Sequence, residues 1–218
     1  MSILTPTRRA LLCTAGAAFA LAAAGIGPAA AALSPQDQAD VDRANAYLND
    51  VRTLTAKFLQ VGPDGSLAEG ELYMRRPGRI RFEYAPPSPL LIVADGTLLT
   101  YLDKELKQVE RVPVGSTPLD VFVRDKVTLD SGDAKITRIE RQPGSLRMTM
   151  IDPKKPKEGS LTLVFTVSPF ALKQWEVTDA RGQKTTVALS NVVTNVELKQ
   201  GLFVFTDSDA ARVLKGNN

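Results

Sequence analysis

Histidine is absent from all 218 residues of this sequence, and the single cysteine is Cys13. Without histidine, the chain lacks the side chain that most often serves as a general base and as a metal ligand. Without a cysteine beyond position 13, the rest of the chain offers no disulfide, no thiolate nucleophile and no cysteine metal site. These absences argue against most classes of enzyme, so we expect no catalytic residues, no metal and no cofactor.

Charge is missing from the apolar run between positions 10 and 26, which follows the basic pair Arg8-Arg9. This run is shorter than the roughly 20 residues that a membrane-spanning helix needs. Pro28 ends the run, and the small residues Ala30-Ala31-Ala32 suit a signal peptidase. The order of these features predicts a cleaved export signal over residues 1–32. The two arginines leave both an ordinary secretory route and a twin-arginine route open.

Residues 33–218 are numerous enough to form one domain with a sizeable core, and we expect a single domain there. The full chain has 27 Lys and Arg against 24 Asp and Glu, and two of those arginines lie in the predicted signal. The exported chain is therefore nearly neutral. It lacks the basic surface that nucleic-acid binding requires, so we expect no nucleic-acid partner.

Helical periodicity is confined to two segments. Ser34 is a good N-cap and Pro35 suits the first helical position. Apolar residues then recur at steps of three and four, along the stripe Val41, Ala44, Leu48, Val51 and Leu54. This stripe predicts a helix over about residues 35–57. Thr117-Pro118 repeats the cap-and-proline signal and predicts a short helix over 119–124, which carries Leu119 and Phe122.

Elsewhere the apolar residues alternate, which is the period of a half-buried strand. In the clearest case Ile80, Phe82 and Tyr84 share one face of residues 79–84. Further strands are expected near residues 72–76, 90–93, 98–101, 107–112, 135–141, 145–151, 161–166, 172–178, 184–193 and 202–205. Strands and helices do not alternate, which favours one antiparallel sheet. A sheet of about ten strands must curl or close, so the pattern predicts a mainly β fold with two helices on the concave face. A closed barrel plugged by the helices is the alternative.

Residues 76–84 read Arg-Pro-Gly-Arg-Ile-Arg-Phe-Glu-Tyr and are followed by Ile92-Val93-Ala94-Asp95-Gly96. Together with Phe58-Leu59-Gln60 and Phe203-Val204-Phe205-Thr206, these motifs resemble the LolA family of periplasmic outer-membrane lipoprotein carriers. The resemblance covers nearly all of the chain after the predicted signal. At residues 207–210, Asp-Ser-Asp-Ala replaces the proline-glycine turn usual in the family, which leaves the role of the C-terminal tail open.

The resemblance implies an unclosed antiparallel β half-barrel with an apolar concave face and an α-helical lid. It also implies a monomeric periplasmic carrier. Such a carrier takes acylated lipoproteins from an inner-membrane ABC transporter and delivers them to an outer-membrane acceptor lipoprotein. The same fold could instead carry another lipid or sense mislocalised lipoproteins for a regulator. A carboxylate-based hydrolase would need two acidic residues on the concave face, and the strand pattern supplies none.

We expect the cavity wall to be formed by large apolar side chains, for which ordinary core packing is the alternative: Phe58, Leu72, Met74, Ile80, Phe82, Tyr84 and Ile92. By alternation Arg76 lies on the face of Leu72 and Met74, where an unpaired guanidinium would be costly. Carbonyls at a helix C-terminus could accept its hydrogen bonds, and the resemblance implies that Arg76 latches the lid. The expected lid residues are Val51, Leu54, Leu119 and Phe122. Alternatively, Pro77-Gly78 bends the strand and leaves Arg76 in solvent.

Overall fold

The computed structural model describes residues 33–205, so the predicted export signal and the tail after Phe205 lie outside the described residues. Eleven strands form one antiparallel sheet in the order β6-β5-β4-β3-β2-β1-β11-β10-β9-β8-β7. Their bounds are β1 Thr53–Val61, β2 Leu67–Arg75, β3 Arg79–Tyr84, β4 Leu90–Asp95, β5 Leu98–Asp103, β6 Gln108–Pro113, β7 Lys135–Gln142, β8 Ser145–Ile151, β9 Gly159–Val167, β10 Phe170–Asp179 and β11 Lys184–Thr194. The terminal strands β6 and β7 do not pair with each other, which confirms the unclosed half-barrel and rules out a closed barrel.

The sheet curls strongly, and two aromatic rings show by how much. Phe82 on β3 and Trp175 on β10 are four strand positions apart in the sheet order. In a flat sheet such strands would be about 19 Å apart, at ~4.8 Å per step. The two ring centroids are only 6.2 Å apart, so both halves of the sheet face one core. That core also includes Val41, Ala44 and Leu48 from a helix.

This helix, α1, spans Pro35–Asp50 and begins as the sequence predicts. The Ser34 hydroxyl accepts a hydrogen bond from the Asp37 amide at 3.1 Å, and Pro35 is in the first turn. A second helix, α2, spans Asp120–Val123 and follows a 3₁₀ turn at Val114–Ser116. α2 is thus one residue shorter at each end than predicted. The Thr117 hydroxyl does not cap α2, because it donates its hydrogen bond to the Val114 carbonyl oxygen.

The predicted end of α1 is wrong, and so is the placement of Val51 and Leu54 on a lid helix. α1 ends at Asp50, Val51 is its C-cap, and Leu54 belongs to β1 together with Phe58. Apolar residues at positions 51 and 54 continue the helical stripe, but residues 54, 56 and 58 also alternate as a strand requires. The β-branched Thr53 and Thr55 favour the strand.

A predicted strand over residues 202–205 is also wrong. Gln200–Phe203 forms a 3₁₀ turn on the outer face of the sheet. The Phe203 ring is buried there beneath the Arg75 guanidinium, whose central carbon is 5.3 Å from the ring centroid. Arg81 Nη1 donates to the Leu202 carbonyl oxygen at 3.3 Å. The alternating aromatic residues therefore reflect packing of one turn, not a strand.

Close packing on the concave face depends on a glycine in β2. Gly70 pairs with Phe58 on one side and with Tyr84 on the other. The rings of these two residues meet edge to face, with centroids 5.0 Å apart. A Cβ atom at position 70 would lie 2.1 Å from the Glu83 carbonyl oxygen and 2.9 Å from the Phe58 ring. The aromatic contact therefore requires glycine here.

We expect Gly70→Ala to lower the free energy of unfolding by about 1–3 kcal/mol, the usual cost of overpacking a core. Urea unfolding measures this change. Gly115→Ala is the matched control, because a Cβ atom there meets nothing within 4 Å. If Gly70→Ala is as stable as Gly115→Ala, close packing around position 70 does not constrain the sheet.

Candidate functional site

A small apolar cavity lies on the concave face of the sheet beneath α1 and α2. Its volume is about 30 Å³, which leaves room for one or two water molecules. Pockets for drug-sized ligands have volumes of about 300–1,000 Å³, so this cavity is too small to hold such a ligand. Its lining is almost entirely hydrocarbon and aromatic: Tyr47, Leu48, Val51, Leu54, Leu72, Met74, Arg76, Ile80, Phe122, Leu172, Trp175 and Leu189.

The structure divides the predicted wall residues into two layers. Leu72, Met74 and Ile80 line the cavity. The remaining residues lie behind it: Phe58, Phe82 and Tyr84 are buried, while Ile92 is partly buried against the same core. The Phe58 ring meets the Phe82 ring edge to face at 5.4 Å between centroids. Aromatic contacts therefore connect the cavity wall to the rest of the core.

Sequence reasoning did not assign Tyr47, Leu48, Leu172, Trp175 and Leu189 to the cavity. Leu172 and Trp175 are three positions apart, so simple alternation places them on opposite faces of β10. A register shift between Leu172 and Gln174 in the pairing with β9 brings both to the cavity. Of these five residues, only Leu48 could have been assigned from the sequence, because it belongs to the apolar stripe of α1.

Among the predicted lid residues, Phe122 of α2 lines the cavity, and its ring lies tilted against that of Trp175 with the centroids 4.8 Å apart. Val51 and Leu54 also line the cavity, but from the chain between α1 and β1 and from β1 itself. Leu119 is the N-cap residue of α2 and is partly buried against the core. Of the four predicted lid residues, Phe122 is therefore the one that lines the cavity from a helix.

Arg76 is buried, with only 6% of its surface exposed, so the alternative prediction that Arg76 lies in solvent is wrong. Its Nε donates to the Phe122 carbonyl oxygen at 2.9 Å. Two residues further on, the Gly78 amide donates to the Val123 carbonyl oxygen at 2.7 Å. These are carbonyls that the last turn of a helix cannot satisfy within itself. The turn between β2 and β3 is thus attached to the C-terminal end of α2.

Burial lowers the pKa of Arg76 to about 10, and the nearby positive charges of Arg52 and Arg124 act in the same direction. The guanidinium still carries its charge at neutral pH. It needs hydrogen-bond acceptors, because an unpaired buried charge is costly. The Phe122 carbonyl oxygen supplies one acceptor, so α2 partly replaces the water that Arg76 loses on burial.

The segment after α2 is attached to α1 by two asparagine side chains. Asn49 Nδ2 donates to the Val127 carbonyl oxygen, and the Val127 amide donates to Asn49 Oδ1, both at 2.9 Å. One turn earlier on α1, Asn45 Oδ1 accepts from the Leu129 amide at 3.0 Å. α1 and residues 127–129 therefore form one hydrogen-bonded unit.

α1 itself is anchored to the opposite half of the sheet. Arg43 Nη2 donates to the Val167 carbonyl oxygen at 3.1 Å, and its guanidinium lies 4.2 Å from the centroid of the Phe170 ring. Arg141 on β7 pairs with Asp37 and Asp40 at 2.6 Å. α1 is therefore held by β7 and the β9–β10 turn, whereas α2 is held by the β2–β3 turn.

On its other side α2 borders a wide cleft of about 600 Å³. Asp120, Val121 and Arg124 contribute to this cleft, whereas Phe122 faces the small apolar cavity. The cleft also contains apolar residues of β8, β9 and β10, namely Met150, Leu161 and Val177. α2 thus lies between a small apolar cavity and a much larger cleft on the same curved sheet.

Ionisable groups of the described region lie mostly away from the cavity. Within residues 33–205, no three His, Cys, Asp or Glu side chains come together in a way that could hold a metal ion. The buried Glu176 is on the opposite face of β10 and pairs with Arg147 at 2.9 Å and Lys184 at 3.3 Å. Burial opposes its ionisation, but these two cations outweigh it and lower the pKa of Glu176. No helix in the same region is both long and apolar enough to cross a membrane.

Comparison with known proteins gives a consistent match. The family model described as "Outer membrane lipoprotein carrier protein LolA" matches residues 49–206. An outer-membrane lipoprotein carrier protein from Legionella pneumophila (strain Paris) is 29% identical over 187 residues, which cover 82% of this chain and 91% of that protein. One from Chromobacterium violaceum is 28% identical over 196 residues, which cover 87% and 94%. A LolA superfamily structure from Nitrosomonas europaea aligns with a TM-score of 0.42 at 10% identity, over 77% of this chain and 98% of that one.

We expect Asn49→Ala to release the segment after α2, because Val127 is buried and Asn49 satisfies both of its backbone groups. An unsatisfied buried backbone group costs about 1–3 kcal/mol, so the free energy of unfolding should fall by on the order of 2 kcal/mol. Amide exchange at Val127 should accelerate. Gln38→Ala is the control, since Gln38 is exposed and bonds to Asp42 within α1. Unchanged exchange in Asn49→Ala would show that Asn49 does not hold this segment.

Proposed function

The chain belongs to the LolA family of outer membrane lipoprotein carrier proteins, and we propose on this basis that it carries acylated lipoproteins across the periplasm as a monomer. It would accept its cargo from an inner-membrane ABC transporter and deliver it to an outer-membrane acceptor lipoprotein. The observation that carries this proposal is the small apolar cavity on the concave face, covered by a helix that two hydrogen bonds attach to the sheet.

The energetics of an acyl chain explain why a carrier is needed. Removing one methylene from water is worth roughly 0.8 kcal/mol, so a chain of about 16 carbons costs on the order of 12 kcal/mol to expose. A lipoprotein with two or three such chains cannot cross an aqueous compartment unaided. The concave face offers the apolar surface that these chains require.

Loading requires α2 to move, because a cavity of about 30 Å³ cannot hold an acyl chain. If α2 leaves the β2–β3 turn, the cavity joins the cleft of about 600 Å³ on its other side. The combined space falls within the range of about 300–1,000 Å³ that is typical of ligand pockets. Its walls would include Met150, Leu161 and Val177 as well as the present cavity lining.

The strength of the α2 contact suits such a cycle. A hydrogen bond from a charged group contributes about 1.5–3 kcal/mol and a neutral one about 0.5–1.5 kcal/mol. The bonds of Arg76 and Gly78 together are therefore worth about 2–4.5 kcal/mol, and about 2.7 kcal/mol already gives a 99:1 preference for the closed state. Burying five or six methylenes offsets the larger of these values. One acyl chain of about 16 carbons therefore more than offsets the loss of these two hydrogen bonds.

Ile80→Glu should abolish loading, because Ile80 lines the cavity and is 2% exposed. The assay measures how much lipoprotein is released from transporter-containing vesicles into a complex with the added carrier. Leu59→Glu adds the same charge at an exposed position of β1 and should load like the parent. Circular dichroism verifies that the sheet has formed. A folded Ile80→Glu protein that loads normally would contradict a cargo site in this cavity.

Arg76→Leu should accept cargo but release it poorly. The substitution removes the bond to Phe122 and adds apolar surface to the cavity, and both changes favour the open, loaded state. In a transfer assay with outer-membrane vesicles, lipoprotein should accumulate on the carrier. Arg75→Leu changes the neighbouring arginine, which lies on the outer face beside Phe203, and should transfer normally. Transfer by Arg76→Leu at the parent rate would show that Arg76 is not a latch.

A further inference from the structure

Arg76 has more donor capacity than the closed lid uses. A guanidinium carries five N–H donors, and Nε is bonded to the Phe122 carbonyl oxygen. Nη1 is shielded from solvent, and no atom of residues 33–205 accepts a hydrogen bond from it. A buried charged group with an unused donor is unusual in proteins, because most buried polar atoms have a partner. This donor therefore points to a ligand group that accepts a hydrogen bond.

The surroundings of Arg76 restrict what that ligand group can be. Arg76 is the one charged residue among those lining the cavity, and most of the others are hydrocarbon, including Leu72, Met74 and Ile80. A ligand in this cavity must be mainly apolar, with an acceptor near Arg76. The low dielectric of the site strengthens the hydrogen bond between Arg76 and such an acceptor.

We propose that Arg76 Nη1 donates a hydrogen bond to the carbonyl oxygen of an acyl ester or amide, the group that joins a fatty chain to the head of the cargo. This inference rests on the proposed carrier function and extends it. Arg76 would then recognise the acyl linkage of the cargo and also hold the lid. The chains extend along the apolar wall, while the linkage is held beside α2.

Hydrogen bonds from Arg76 to the cargo also compensate for the bond to Phe122 that is lost when the lid opens. When α2 leaves, Nε loses the Phe122 carbonyl oxygen, and a second acyl carbonyl can take its place. A cargo with two or more acyl linkages therefore satisfies donors that a plain hydrocarbon leaves unpaired. Ester-linked or amide-linked lipids open the lid at lower concentration than ether-linked lipids of equal chain length.

The test compares three lipids with two 16-carbon chains: the ester 1,2-dihexadecanoylglycerol, its diamide analogue, and the ether 1,2-di-O-hexadecylglycerol. Each displaces an apolar fluorescent dye from the exported protein, with the lipids delivered from cyclodextrin. Because hydrogen bonds to charged groups are strong, the parent should bind the ester or the amide at least about ten-fold more tightly than the ether. Comparing ester with amide identifies which linkage Arg76 contacts.

Two variants locate the preference. Arg76→Met removes every donor and should bind all three lipids with similar affinity. Arg75→Met is the matched control at the neighbouring position, because the Arg75 guanidinium lies on the outer face with Nη1 donating to the Leu198 carbonyl oxygen. This variant should keep the preference. If Arg76→Met does not fold, Arg76→Lys retains the charge and should show a reduced preference.

The outcomes separate this inference from the function on which it rests. Equal binding of ester, amide and ether by the parent overturns the role of Nη1 and leaves a lipid carrier standing. A preference that persists in a folded Arg76→Met protein also overturns it. If the parent binds none of the three lipids, the carrier function is contradicted and the inference falls with it.

Discussion

The contact between the β2–β3 turn and the last turn of α2 is the interaction on which the closed site depends. It consists of two hydrogen bonds, from Arg76 Nε to the Phe122 carbonyl oxygen and from the Gly78 amide to the Val123 carbonyl oxygen. With α2 in place the cavity on the concave face has a volume of only about 30 Å³. A weaker contact would expose a large apolar surface, which in soluble proteins promotes association. A much stronger contact would resist the burial energy of an acyl chain.

The two helices of the lid are held by different parts of the sheet, and this division defines where the lid opens. α1 is anchored through Arg43 and Arg141 to the β9–β10 turn and to β7. Asn45 and Asn49 extend that anchored unit to residues 127–129. α2 lies between this unit and the β2–β3 turn, and it separates the cavity from the cleft. In our account α1 is the fixed part of the lid and α2 is the part that moves.

The sequence predicted the architecture better than the details of the cavity. Alternation in β3 was unambiguous. Alternation continued from β2 into the following turn correctly placed Arg76 on the face of Leu72 and Met74. The end of α1 could not be predicted, because Val51 and Leu54 fit a helical stripe and a strand equally well. Trp175 was missed because a register shift in β10 breaks the alternation. The closed volume of the cavity is a property of tertiary packing, and no local pattern in the sequence reports it.

Movement of α2 on loading can be measured as a distance between two spin labels. Residues 33–218 contain no cysteine, so cysteines introduced at Thr97 and Val121 would be the only labelled positions in that part of the chain. Val121 lies on α2 itself, is partly exposed and faces the cleft. Thr97 is exposed and belongs to the β4–β5 turn, where Gly96 closely approaches Gly78. Pulsed electron paramagnetic resonance should give one short distance in the empty protein and a longer one with a diacyl lipid bound. An unchanged distance at saturating, verified lipid binding would contradict a lid that opens at the β2–β3 turn.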